Sequence, residues 1–291
     1  MATQRRPLCA DLSRDNSEPL AATASRIDHW LLVEYRGLWS RAPLAGSGLK
    51  DEVKEHVRAQ LNAVAPARLL FIKGGRRRGR EGIAVYHGRT RERGSRFFRH
   101  ELGSYDELLE LDLRSEAGEA LDQPLFVVCT HGKRDRCCAV YGRPLYDSLR
   151  NELGDEWVWQ CSHVGGDRFA GNLVVFPHGL YFGRVLAADV PAVVDASLDG
   201  RVYLERYRGR CVYPFAVQAA EHAVRSDEGL NRIDDLWLER VDRGRDAWRV
   251  VFRSRDGGLH ERTVTAELGE LTYLTCDAET LRRPWHFRAA R

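Results

Sequence analysis

Nowhere in the 291 residues is there an apolar run of about 18, the length a membrane-spanning helix needs, so no membrane partner is expected. Charge of one sign is equally scarce. The 45 basic and 42 acidic residues leave a formal net charge of +3, too small and too evenly mixed for a nucleic-acid binder. The exception is Arg76-Arg77-Arg78-Gly79-Arg80, which reads as a solvated loop or as a docking point for an acidic partner. Gly-rich phosphate loops, a Gly-x-Ser-x-Gly elbow and a Cys-x-x-Cys pair are all missing. Their absence removes the usual nucleotide-binding, serine-hydrolase and dithiol-exchange patterns. The opening MATQRRPLCADLSRDN is basic but has no apolar stretch, so no secretory signal is expected and the expected location is cytoplasmic.

What is present is a globular composition, 43% hydrophobic and 30% charged, on a chain long enough for about two domains. The seven cysteines are odd in number, and a reducing compartment disfavours disulfides, leaving metal binding or simple burial. Four of them, Cys129, Cys137, Cys138 and Cys161, fall within one short stretch. Cys9, Cys211 and Cys276 stand apart and read as small buried apolar groups.

The hydrophobic pattern gives a strand at 28–35, an amphipathic helix at 49–63 and strands at 68–73 and 83–86. A similar order follows: a strand at 125–128, a helix at 144–153 with Pro144 in its first turn, a strand at 157–159 and a hairpin at 172–185. WLLVEY matches LFVVCT, ARLLFIKGG matches VWQCSHVGG and IAVYHGR matches LYFGRV, which implies an internal duplication. In that alignment Glu34 stands for Cys129 and Ile72 for His163. Residues 186–225 read as mostly helical and 236–276 as strands. The expected class is α/β (α+β): two thioredoxin-like lobes with mixed sheets and flanking helices, at 1–115 and 116–225, followed by a small β-rich segment at 226–291.

Cys129-Thr130-His131-Gly132-Lys133-Arg134-Asp135-Arg136-Cys137-Cys138 and Cys161-Ser162-His163-Val164-Gly165-Gly166-Asp167 both begin where an apolar strand ends. Strand ends set side chains on a rigid edge, and the loops after them can wrap an ion. Thiolates suit zinc as well as iron–sulfur groups, and the spacing alone leaves both open. Around the candidate donors, Arg134 and Asp135 fall in the first loop, while Arg168 and Asn172 are expected to fix the second by hydrogen bonds to carbonyls. His131 reads as a supporting residue, and less readily as a nitrogen ligand.

The segments CTHGKRDRCC, SHVGGDRFAGN and GLYFGRV together resemble the sucrase/ferredoxin-like family, which includes a thioredoxin-like ferredoxin domain. The resemblance is close over 125–185 and looser over 9–225. It implies a [2Fe–2S] cluster on a pattern Cys-x8-Cys followed by His-x-Gly-Gly-His, which falls on Cys129, Cys138 and His163. The second His position is Asp167 here, so the implied ligands are two thiolates, one imidazole and the Asp167 carboxylate. Cys161 is the alternative fourth ligand, and Cys137 is the spectator of the vicinal pair. The implied function is one-electron transfer from a reductase or other electron donor to an unknown electron acceptor, by a carrier rather than a self-contained enzyme, as a monomer or a homodimer. Two other classes fit the same residues: a zinc-stabilised interaction module and a thiol-based redox enzyme or sensor.

Overall fold

In the computed structural model residues 6–74 and 82–290 are described, and the basic run Arg76, Arg77, Arg78 and Arg80 lies outside them. After a short helix α1 (Cys9–Asp15), the chain forms β1 (His29–Glu34), α2 (Asp51–Ala63), β2 (Ala67–Lys73), β3 (Ile83–Arg89) and β4 (Arg96–Leu102). Residues of β1 alternate: Leu31 and Val33 meet Val53 and Val57 of α2, while Trp30 and Leu32 face the opposite side. Asp51 and Glu52 sit in the first turn of α2, where negative charge complements the helix dipole. The α2 crossover makes β1 and β2 parallel, and β3 then pairs antiparallel to β1.

A two-residue strand β5 (Glu119–Ala120) leads to a second unit of the same plan. It comprises β6 (Leu125–Cys129), α3 (Arg136–Leu153), β7 (Val158–Cys161), β8 (Leu173–Phe176) and β9 (Leu180–Phe182). Here β6 and β7 are parallel and β8 is antiparallel to β6. The units join edge to edge where β2 pairs antiparallel with β7, Ile72 opposite Cys161 and Lys73 opposite Gln160. After α4 (Val190–Leu198), β10 (Tyr207–Arg210) completes a ten-stranded mixed sheet of order β10-β9-β8-β6-β7-β2-β1-β3-β4-β5. The sheet curls: Phe97 of β4 and Phe176 of β8, far apart in strand order, have ring centroids 4.7 Å apart. Helix α5 (Phe215–Glu228) then packs Val217, Ala220 and Val224 on a separate antiparallel sheet of β11 (Leu236–Arg243), β12 (Ala247–Ser254), β13 (Leu259–Leu268) and β14 (Trp285–Ala290). The fold is α+β, a large mixed sheet with flanking helices and a small β-rich sheet.

Three details differ from the sequence reading. Helix α3 starts at Arg136, not Pro144, because the Asp135 side chain caps it by accepting the Cys137 N–H at 2.8 Å. Pro144 lies inside the helix on its exposed side, and the carbonyl it leaves free belongs to the exposed Val140, where water can serve it. The hydrogen-bond register corrects the repeat alignment: Glu34 faces Ile72 as Cys129 faces Cys161, so Ile72 corresponds to Cys161 rather than His163. The counterpart of β3 is likewise β8 rather than β9, each being antiparallel to the first strand of its unit. Finally, β10 interrupts the stretch expected to be helical, and its Arg208 and Arg210 are buried because their guanidinium groups donate to backbone carbonyls.

A side chain on Gly142 would overlap the Cys129 carbonyl oxygen, so this glycine is what lets α3 lie against the end of β6. Gly142→Ala is expected to destabilise the fold by about 1–3 kcal/mol, the usual range for overpacking, in urea denaturation. A loss below ~0.5 kcal/mol would mean that the helix shifts freely. The turn between β8 and β9 carries His178, whose pKa burial lowers from 6.5 to about 4. The folded state therefore binds fewer protons than the unfolded one between these values. Stability should be full above pH 6.5 and fall as the pH drops towards 4, by at most about 3 kcal/mol. His178→Gln should flatten that slope, and an unchanged slope would assign it to other groups.

Candidate metal centre

The parallel pair β6–β7 ends with Cys129 and Cys161 side by side. From Cys129 a tight loop returns the chain to α3, whose first turn carries Cys138. From Cys161 a second loop carries His163 and then Asp167, which opens a short 3-10 turn at Asp167–Phe169. Gly166 shapes that loop: its φ is +78°, and a Cβ there would overlap the Arg208 guanidinium. Arg208 donates to Gly165 O at 3.1 Å and to Asn172 Oδ1 at 2.8 Å, and Asn172 Nδ2 donates to Gly166 O at 2.9 Å. The second loop is thus held from beneath by a buried Asn–Arg pair.

These elements bring four of the expected donors together. The ligating atoms of Cys129, Cys138 and His163 lie within 4.8 Å of one another. Asp167 Oδ1 accepts the Cys138 S–H at 3.2 Å and lies 2.9 Å from His163 Nδ1. Cys129 and Cys138 are 1% exposed and Asp167 is 4% exposed, whereas the His163 side chain keeps 24% of its surface. The imidazole is therefore the open edge of an otherwise closed site.

Electrostatics follow from this crowding. The S–H groups of Cys138 and Cys161 and the nearby His163 hold the Cys129 thiol well below its usual pKa, against the effect of burial. Cys138 is pushed well above, by its contact with Cys129 and by burial. Cys161 is raised chiefly by burial and then by the Cys129 charge. Burial disfavours a charged His163, but the Asp167 carboxylate and the Cys129 sulfur outweigh it and raise the pKa to about 9. Even so, His163 Nδ1 is a buried nitrogen with no hydrogen bond: its approach to Asp167 has ion-pair distance without hydrogen-bond alignment. A paired thiol and thiolate, a carboxylate and an imidazole, converging in a site open only at the imidazole edge, fit a metal group.

The remaining expected residues are dispersed. His131 is buried, with Nε2 2.9 Å from Ser40 O and its ring edge-on to Trp39, and it supports the loop. Arg134 enters through its backbone N–H, which donates to His131 O. Asn172 fixes the second loop as expected, but Arg168 turns away and donates to Glu18 at 2.7 and 2.9 Å, clamping the N-terminal segment. Asp135 and Cys137 also face away from this site, towards Cys9 and Cys276. That second convergence was invisible in the sequence, because its members lie up to 267 positions apart.

Replacing Asn172 by Ala leaves one Arg208 N–H unpaired in the interior and removes one of the two hydrogen bonds to Gly166 O, which still accepts the Phe169 N–H. A loss of about 1–3 kcal/mol in unfolding free energy is expected, the cost of an unsatisfied buried group. An unchanged stability would show that the loop is held without this pair.

Comparison with known proteins bears on identity. The profile of the sucrase/ferredoxin-like family matches residues 20–209. Curated relatives named "Altered inheritance of mitochondria protein 32" match about a third of the chain. The one from Eremothecium gossypii is 32% identical over 106 residues, 32% of this chain and 34% of its own length. The one from Meyerozyma guilliermondii is 31% identical over 122 residues, 38% and 43% of the two chains. The one from Debaryomyces hansenii is 32% identical over 99 residues, 31% and 36%. The chain thus spans about a third to two fifths of the relatives it matches. No solved structure matches.

These relatives correct the functional expectation. Their name refers to inheritance of mitochondria and to neither a ferredoxin nor electron transport, and the word ferredoxin in the family description is a label without a demonstrated carrier behind it. The reading of the chain as a ferredoxin-type, iron–sulfur electron carrier is withdrawn. What stands is a buried group of donors able to bind a metal. Among the described residues, no helix is long and apolar enough to cross a membrane.

Proposed function

The chain belongs to the sucrase/ferredoxin-like family, and from that premise and the donor set we propose that it is a metal-binding protein whose centre is held by Cys129, Cys138, His163 and Asp167. The observation that carries this reading is the convergence of the Cys129, Cys138 and His163 donor atoms within 4.8 Å of one another, with Asp167 Oδ1 3.2 Å from Cys138 Sγ and 2.9 Å from His163 Nδ1. The metal binds both thiolates and the imidazole, and Asp167 supplies the fourth donor. All four positions come from the chain, and the two cysteines are sealed from solvent. Closed sites of this kind serve structure or sensing, whereas catalytic metal sites keep a position open for substrate. The metal-loaded state is the functional state, because it joins the end of β6, the first turn of α3 and the loop after β7. The relatives are named for altered inheritance of mitochondria, and for this chain we propose a role exerted through binding rather than turnover, on the closed donor set. The seven free cysteines suit a reducing compartment, which we take to be the cytoplasm.

Metal analysis of anaerobically prepared full-length protein tests this reading. Bound metal is expected, and the metal content should fall in Cys129→Ser and Cys138→Ser. Asp167→Ala should weaken retention against a chelator by about ten-fold or more, in the range for groups at metal sites. About two irons and two acid-labile sulfides per chain would identify the group as a [2Fe–2S] cluster, and a single zinc or iron ion held by these residues would identify a mononuclear centre. A chain that binds no metal after reconstitution, or whose metal content is unchanged by both cysteine replacements, would overturn the proposal.

A further inference from the structure

Cys9, Cys137 and Cys276 come from the two ends and the middle of the chain, yet their sulfurs form a closed triangle. The Sγ–Sγ distances are 3.5 Å for Cys9–Cys137, 3.3 Å for Cys137–Cys276 and 3.7 Å for Cys276–Cys9. The Asp135 carboxylate lies beside them, its oxygens 3.8 and 3.7 Å from Cys9 Sγ. All four residues are buried, and one donor atom from each falls within 4.8 Å of the other three. We propose that these residues form a zinc site of three thiolates and one carboxylate, separate from the Cys129–Cys138–His163 centre.

The geometry suits a tetrahedral ion. With metal–sulfur bonds of about 2.3 Å, tetrahedral angles put the sulfurs ~3.8 Å apart, slightly beyond the spacing seen. Equivalently, for a triangle of side ~3.5 Å, a point about 2.3 Å from every sulfur lies ~1 Å out of their plane. Asp135 is fixed as a ligand should be. One oxygen accepts the Cys137 N–H at 2.8 Å and the other accepts the Cys276 N–H at 2.7 Å, leaving each a free lone pair. The Ala10 N–H points at Cys137 Sγ at 3.4 Å, and Cys137 lies in the first turn of the 18-residue helix α3. Both features stabilise thiolate over thiol. The spacings are far longer than the ~2.05 Å of a disulfide. Soft thiolates with no open position select zinc for a structural role over hard cations such as magnesium or calcium.

Zinc here would tie α1 and the segment around Cys276 to the start of α3. Because Cys137 and Cys138 are consecutive on one helix, a single turn would serve both centres while pointing its two sulfurs to different sides.

The test is zinc content of the full chain, prepared under reducing conditions, with variants that separate the two centres. The proposal expects one zinc per chain to remain in the Cys129→Ser/Cys138→Ser double variant and to be lost in Cys9→Ser/Cys276→Ser. If the second variant does not fold, the wild-type protein still decides. Zinc released by a thiol reagent should appear in step with modification of Cys9, Cys137 and Cys276 in peptide maps, and cobalt in its place should give a thiolate charge-transfer band. Wild-type protein that takes up no zinc, zinc release uncoupled from those three cysteines, equal zinc in Cys9→Ser/Cys276→Ser, or a disulfide between any two of the three in fresh protein would each overturn the site.

Discussion

One oxygen of the Asp135 carboxylate accepts the Cys137 N–H and starts α3, while the other accepts the Cys276 N–H and draws residues near the end of the chain to the same point. This bifurcated cap decides where the helix begins, and so decides where Cys137 and Cys138 point. Consecutive residues on a helix diverge by about 100°. With the start fixed at Arg136, Cys138 reaches the Cys129 side and Cys137 reaches Cys9 and Cys276. Gly142, one turn later, allows the same helix to touch the end of β6. The two sulfur clusters are in this sense one construction, built around the first turn of α3.

The repeated strand order shows, among the described residues, why the second unit carries such a site and the first does not. Both units end their first strand at the same place in the sheet, at Glu34 and at Cys129. In the first unit the Glu34 carboxylate accepts the Ala84 N–H at 3.0 Å, a local structural bond. The neighbouring position is the apolar Ile72, where the second unit has Cys161. The pairing of β2 with β7 then sets the first unit against the one that carries the site. Ser162 both donates its N–H to Phe71 O and accepts the Phe71 N–H on its hydroxyl, and Arg68 donates to Val164 O. The first unit thus braces the loop that carries His163.

Much of this was legible in the residues, and for definite reasons. The strands β1, β2, β6 and β8 are short apolar runs buried on both faces, and α2 shows its buried face at four-residue spacing, so each was found to within a few residues. The grouping of Cys129, Cys138, His163 and Asp167 was expected from the family pattern, while the residues alone showed only that two donor-rich loops begin at strand ends. The start of α3 could not be anticipated, since its capping residue sits inside what reads as a ligand loop and Pro144 mimics a helix start. Strand β10 has a polar sequence, Tyr-Arg-Gly-Arg, that is buried only because distant carbonyls receive its guanidinium groups. Cys9 and Cys276 carried no local signal at all. Their meaning depends on a tertiary contact with Asp135 and Cys137 that no periodicity records. The functional expectation failed differently: it took a carrier's role from a family label, where the residues themselves supported only a place for a metal.

The most direct test of a closed metal centre between β6, β7 and α3 is a crystal structure of the anaerobically prepared full chain, with anomalous diffraction measured at the iron and zinc edges. The account predicts an anomalous peak enclosed by Cys129, Cys138, His163 and Asp167, with the His163 nitrogen directed at it. Full-occupancy side chains packed against one another at that position, with no peak at either edge, would contradict it.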